Sequence, residues 1–266
     1  MKKLGLRLLG LLVLLYVTIC SYMFFKQEDF IFLPEKIKSS ANLDIHLPHE
    51  EVFFYSKGAK LNGFYAKVEH PRGLIFFLHG NKGNLNYQEQ AARFYTSLGY
   101  DFFSFDYRGY GKSSGNIFSE EQFFQDVKAA YSFCLKSYRE SDITIIGYSL
   151  GTGPASYLAS QTKAPKLLLI APYFSLKKMT LHRYKVIPTF LVKYPFDTYL
   201  HLQNAQQEKL IVHGDLDAVL PFEASSELKP YLKKGDRFVR LPGQGHDDME
   251  KNPLFRKTVR QFLDIN

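Results

Sequence analysis

The sequence contains no tryptophan and only two cysteines, Cys20 and Cys134. So few cysteines exclude a disulfide framework and leave no metal-ligand spacing. The two cannot bridge within one domain either, because Cys20 lies in a long apolar run and Cys134 in a predicted helix. The scarcity is compatible with either side of a membrane and assigns no compartment. Internal repeats and low-complexity tracts are missing. Nor are the basic residues interleaved with aromatics at a spacing that reads bases, so nucleic acid is not an expected partner. Gly111-Lys112-Ser113 has the look of a phosphate loop ending, but Asp106 stands where that loop needs a glycine, which excludes nucleotide binding.

What is present divides into unequal parts. Lys2, Lys3 and Arg7 open the chain, and Leu8–Phe25 then runs without a charge. Counted from Leu4, the segment is long enough to cross a hydrocarbon core of roughly 30 Å at about 1.5 Å per residue. A cleaved signal peptide has a shorter apolar core and a small-x-small site. Val17–Tyr22 offers only poor sites, so residues 1–25 are expected to be a retained anchor. The basic flank then predicts a single-pass protein with a cytoplasmic N-terminus and its folded domain on the other side. Residues 26–49 read as a mixed polar connector, and 50–266 as one folded domain of ample size for a core.

From residue 50 onward the pattern is strand, strand, then strand–helix alternation. Glu51–Ser56 and Lys60–Val68 flank Lys57-Gly58-Ala59 as a β-hairpin. Gly73–Leu78, Tyr100–Asp106, Ile143–Gly147, Lys166–Ile170, Lys209–Val212 and Arg237–Leu241 are short apolar runs of the kind that form buried parallel strands. Helices are predicted over Tyr87–Leu98, Ser119–Tyr138, Gly151–Gln161, Pro221–Lys233 and Pro253–Leu263. The alternation predicts an α/β class fold, a mostly parallel doubly wound sheet that binds ligands at the C-terminal strand ends.

At one such end stands Gly147-Tyr148-Ser149-Leu150-Gly151, between a strand-like and a helix-like run. That order of parts is a nucleophile elbow, a sharp turn that lifts a serine hydroxyl above the sheet. Other predicted strands end at His79-Gly80-Asn81-Lys82-Gly83-Asn84, at Asp106-Tyr107-Arg108-Gly109-Tyr110-Gly111-Lys112-Ser113, at His213-Gly214-Asp215-Leu216-Asp217 and at Gly243-Gln244-Gly245-His246. Together these segments resemble the α/β-hydrolase superfamily over nearly all of Glu50–Asn266, and within it the membrane-anchored, serine-aminopeptidase-like branch.

The resemblance implies that Ser149 is the nucleophile and His246 its general base. By the spacing of the family pattern, Asp217 rather than Asp215 orients that histidine. It implies an oxyanion hole from the backbone N–H groups of Asn81 and Leu150, and no cofactor or metal. Asp247 and Asp248, if near the ring, would favour the imidazolium. His79 and His213 read as buttresses of their turns, and Asp106 and Arg108 as loop-fixing residues. His46, His49, His70, His182 and His201 read as ordinary surface residues.

In the superfamily, the insertion after the sixth strand of the domain forms a cap over the active site; here it would be residues 173–205. Its Tyr173–Phe196 stretch holds Lys177, Lys178, Arg183, Lys185 and Lys193 without an acidic residue, and is rich in Tyr and Phe. It reads either as an ordinary solvated cap or as a basic, aromatic surface facing a membrane. The expected activity is cleavage of a carboxylic ester, thioester or amide in a small-molecule or lipid-like acyl substrate, on a protein held to the membrane by its N-terminal helix. A tethered, non-catalytic hydrolase-fold binding module is the alternative. Oligomeric state is not legible.

Overall fold

The computed structural model describes residues 2–265. In chain order the elements are α1 (Lys2–Phe25), α2 (Gln27–Ile31), β1 (Leu33–Pro34), β2 (Glu50–Ser56), β3 (Ala59–Ala66), β4 (Leu74–Leu78), β5 (Lys82–Gly83), α3 (Glu89–Ser97) and β6 (Asp101–Phe105). There follow α4 (Glu120–Cys134), β7 (Ile143–Tyr148), α5 (Thr152–Ser160), β8 (Lys166–Ile170), α6 (Leu176–Arg183), α7 (Thr198–Asn204), β9 (Glu208–Gly214), α8 (Phe222–Ser226), β10 (Arg237–Leu241) and α9 (Pro253–Phe262).

The main sheet has eight strands in the order β10-β9-β8-β7-β4-β6-β3-β2. Strands β4 and β6–β10 pair in parallel, while β3 is antiparallel to both β2 and β6. The hairpin turns on Lys57 and Gly58, both at positive φ, as a two-residue turn between twisted strands requires.

Alternate residues of each strand enter opposite layers. Phe76 and Leu78 face one core with Phe103 and Phe105, whereas Ile75 and Phe77 face the other with Phe102 and Ile146. With both faces covered, the central strands β4, β7 and β8 read as nearly continuous apolar runs. Helix α4 starts cleanly because the Ser119 side chain accepts from the Gln122 N–H.

The expected helix over Pro221–Lys233 breaks into α8 and a short 3-10 turn at Lys229–Tyr231. Pro230 lies in that turn; it has no N–H to give and stops the helix. His201, expected on the surface, packs edge-on against Phe124 and Tyr157, and burial pushes its imidazole down to about 4.

The stretch expected to be a polar connector is built into the body. Phe32 enters one core layer; Leu43, Ile45 and Leu47 enter the other. Strand β1 pairs with β5, and Glu35 N–H donates to Gly83 O at 3.0 Å. Helix α1 projects from the body, with Cys20 its buried residue.

Candidate active site

Strand β7 runs into α5 with no room for a side chain on either side of the turn. A Cβ on Gly147 would lie 2.5 Å from Gly151 O, and one on Gly151 would lie 2.1 Å from Leu78 O. This crowding forces Ser149 into the left-handed region at φ 51°, a strained conformation for a residue with a side chain. Thr152 Oγ1 donates to Ser149 O at 2.6 Å, and Tyr173 OH donates to Leu150 O at 3.0 Å, so the turn is held from below. Leu150 sits in the first turn of the helix that follows, where backbone N–H groups have no intrahelical acceptor.

The other strand ends converge on this serine. His246 Nε2 stands 3.0 Å from Ser149 Oγ, and His246 Nδ1 stands 2.6 Å from Asp217 Oδ2. The carboxylate beside Nδ1 selects the tautomer protonated there, which leaves Nε2 free to accept from the hydroxyl. Asp217 Oδ1 accepts from the N–H groups of Val219 and Leu220 at 2.9 and 2.8 Å. Its Oδ2 also lies 3.1 Å from Nε2 of the buried His213, which is 2.9 Å from Leu220 O. Burial alone would raise the Asp217 carboxyl. The hydrogen bonds from His213, His246 and the Leu220 N–H outweigh it and hold the group well below the usual carboxylate range.

Asp215 faces the other way, toward Arg240 Nε at 2.9 Å and the Gly243 N–H at 2.7 Å. The two acids after His246 are engaged as well. Asp247 accepts from Tyr148 OH at 2.8 Å, and Asp248 pairs with Lys251 at 2.9 Å.

On the facing side, His79 Nδ1 lies 2.8 Å from Gly80 O. Burial pushes His79 down to about 4, so the ring is neutral and donates to that carbonyl. Peptide bonds here are trans, so anchoring the Gly80 carbonyl on His79 turns the Asn81 N–H to the opposite side. A Cβ on Gly80 would lie 3.6 Å from Ser149 Cβ, which brings this peptide beside the serine. The ring of Tyr107 stacks on His79 at 4.1 Å, and its hydroxyl donates to His79 O at 2.8 Å.

Asn81 O accepts from Tyr110 OH at 2.7 Å and from the Leu33 N–H at 2.8 Å. Arg108 meets the buried Asp126 through Nε at 2.6 Å, a structural pair. Asp106 is buried, and burial raises its carboxyl well above the usual range. A cleft of about 590 Å³ opens over the serine, lined by Leu33, Asn81, Tyr148, Ser149, Val219 and His246 among others.

Tyr148 and Leu33 were not singled out from sequence, and His213, read as a buttress of its turn, was not expected to reach Asp217. Tyr148 occupies the variable position of the elbow motif, and Leu33 lies in the segment read as a connector. His213 stands four residues before Asp217 but across a turn, where spacing gives no contact rule. The insertion is also displaced from its expected place, since none of residues 173–205 lines the cleft. It packs beside the elbow instead, through Tyr173 and through Phe196 on Phe123. Among the described residues, no three His, Cys, Asp or Glu side chains cluster to hold a metal ion.

Sheet order and the turn from β7 into α5 define an α/β-hydrolase fold. The chain belongs to the family described as Serine aminopeptidase, S33, whose profile matches residues 69–209. It is similar to human alpha/beta hydrolase domain-containing protein 17B, with 27% identity over 218 residues, 78% of this chain and 72% of that protein. It is also similar to mouse alpha/beta hydrolase domain-containing protein 17C, with 29% identity covering 80% and 67%. An esterase of Pyrococcus furiosus shares the fold at a TM-score of 0.71 and 17% identity, over 88% of this chain and 97% of that one. An alpha-beta hydrolase of Vibrio vulnificus does so at 0.67 and 23%, over 81% and 80%. This chain is a hydrolase of the α/β-hydrolase superfamily.

Proposed function

We propose that the protein is a membrane-tethered serine hydrolase that cleaves a carboxylic ester, thioester or amide through an acyl-enzyme. The observation that carries the reading is the relay from Ser149 Oγ to His246 Nε2 at 3.0 Å and on from Nδ1 to Asp217 Oδ2 at 2.6 Å. Ser149 Oγ attacks the acyl carbon while its proton passes to His246 Nε2. Ionised Asp217 stabilises the imidazolium so formed and fixes its ring. Charge developing on the acyl oxygen is met by the N–H groups of Leu150 and Asn81. The bond to the leaving group then breaks as Nε2 returns the proton to it. Water, deprotonated by the same imidazole, repeats the attack, releases the carboxylic acid and restores Ser149.

The tether part of the reading is supported by α1, an apolar helix of 24 residues whose first two turns carry Lys2, Lys3 and Arg7. Residues 1–25 would cross the bilayer with the N-terminus cytoplasmic and the hydrolase body on the opposite side. The test of the chemistry is a fluorophosphonate probe. Its mass is expected on the peptide containing Ser149, and Ser149→Ala is expected to abolish both labelling and turnover. A correctly folded wild type that neither labels nor turns over any acyl substrate is the outcome expected of a non-catalytic binding module. Labelling and hydrolysis that survive Ser149→Ala overturn the mechanism.

A further inference from the structure

Within the insertion after β8, one loop is laid along the apolar helix rather than over the cleft. Tyr16 OH donates to Val186 O at 2.8 Å, about two and a half turns before α1 ends. At about 1.5 Å per residue, that contact lies roughly 14 Å up the helix from Phe25. Polar contacts lock the same loop to the base of the helix. Gln27 Nε2 donates to Leu191 O at 2.6 Å, and Lys193 N–H donates to Gln27 Oε1 at 2.9 Å. Tyr194 OH donates to Glu28 Oε1 at 2.7 Å, and Lys193 Nζ stands 3.2 Å from the same carboxylate.

This polar knot, with the covered face of Cys20, Met23 and Phe24, sets one face of the last turns of α1 against protein, while Tyr22 and Phe25 stay exposed on the other. What remains free is the run up to Ile19, and counted from Leu4 it covers roughly 24 Å of a ~30 Å hydrocarbon core. A bilayer that takes up this run therefore brings its interfacial layer to Ile19, within about one turn of Tyr16 and of the Val186 carbonyl bonded to it. The loop is dressed for that layer. Phe190 is 82% exposed, more than any other large apolar side chain among the described residues, and Val186 is 69% exposed. Arg183 and Lys185 flank them and are exposed, whereas Lys178 and Lys193 are neutralised by Glu227 and Glu28.

We propose that Tyr184–Leu191 is a second membrane contact, inserted into the interfacial layer of a bilayer with anionic headgroups beside the point where α1 enters it. Val186 and Phe190 are the inserted side chains. Arg183 and Lys185 reach back to the headgroups with their stems in the apolar layer. The inference rests on the tether reading of α1 and adds to it a fixed orientation, because two contacts that do not share a point stop rotation about the helix axis.

The absence of tryptophan supplies a clean probe. Single variants Leu12→Trp, Phe190→Trp and Tyr55→Trp of the full chain are reconstituted into mixed neutral and anionic vesicles. Their lipids are brominated either near the chain ends or just below the carbonyls. Leu12→Trp is expected to be quenched by deep bromine, Phe190→Trp by shallow bromine with a blue-shifted emission, and Tyr55→Trp by neither. Leu12→Trp quenched while Phe190→Trp matches Tyr55→Trp overturns the loop contact and leaves the tether standing. Leu12→Trp unquenched removes the tether, and the loop contact falls with it.

Discussion

The turn after β9 and the insertion after β8 leave neighbouring strands of one sheet, and they are built in opposite ways. In the turn, the buried Asp217 takes hydrogen bonds from two backbone N–H groups of its own turn and contacts from two histidines. In the insertion, Leu181–Val186 is exposed, and the chain is held by residues far away in sequence: Gln27 and Glu28 before the sheet, Glu120 on α4, Glu227 after α8. The turn can serve chemistry because its donors come with its own backbone and cannot drift. The insertion can serve as a contact surface because its position is borrowed from other parts of the chain.

If that contrast is right, substitutions in the turn change rate and substitutions in the insertion change stability or attachment. The largest effect is expected at Asp217→Asn, which removes the ionised partner of His246 Nδ1 and should lower kcat by up to about 10⁴-fold, as in the serine-protease triad. Asp215→Asn should cost less than about tenfold, since its partner Arg240 is largely exposed and such pairs contribute little. Steady-state kinetics on a short chromogenic ester decides between them, and the reverse ranking would exchange their roles. Because hydrogen bonds hold Asp217 below the usual carboxylate range, its contribution to stability is present above the unfolded value. It is lost only as pH falls through the lower folded value, so Asp217 stays ionised at every pH where the enzyme is assayed.

An intermediate effect is expected where the insertion meets α4. Phe196 N–H donates to Glu120 Oε1 at 2.6 Å, and burial, helped by Asp197, raises this carboxyl to about 7. A carboxyl raised in the folded state binds its proton more tightly there than in the unfolded chain. Stability from this site is therefore full below the unfolded value and declines as pH rises toward about 7. Glu120→Gln should flatten that decline, gaining about 1–2 kcal/mol at pH 8 relative to pH 5 after allowance for solvent screening. Denaturant melts at the two pH values measure it, and an unchanged pH slope would sink the assignment. The smallest effect is expected at Lys178→Gln. It breaks a half-exposed pair with Glu227, and thermal melts should register less than about 1 kcal/mol.

The same contrast governs what the sequence disclosed. All the strands of the main sheet were legible: the inner ones as apolar runs because both faces are buried, and the edge strand β2 through its hairpin with β3. Ser149, Asp217, His246, Asn81 and Leu150 were nameable because each sits at a strand end in a motif of short range. What escaped notice depends on partners distant in sequence. Leu43, Ile45 and Leu47 alternate with polar residues but join no strand of the main sheet, so nothing local told their burial from an exposed linker. Strand β1 is two residues long and exists only because Asn81 and Gly83 offer it carbonyls. The position of the insertion is set by Gln27 and Glu28, more than a hundred residues earlier, and no period or spacing encodes it.

The strap from Phe32 to Lys36 also bears on where this chain can be cut. It contributes Leu33 to the wall of the cleft and braces the Asn81 carbonyl, yet the exposed stretch Lys38–Asn42 separates it from the rest of the body. Proteolysis at that stretch would leave part of the cleft on the stub that carries the apolar helix. Cleavage near Lys26 would release a body with its cleft wall whole. A fragment begun at Glu50 would thus be a different object from one begun at Gln27, because only the second keeps Leu33 in the cleft wall.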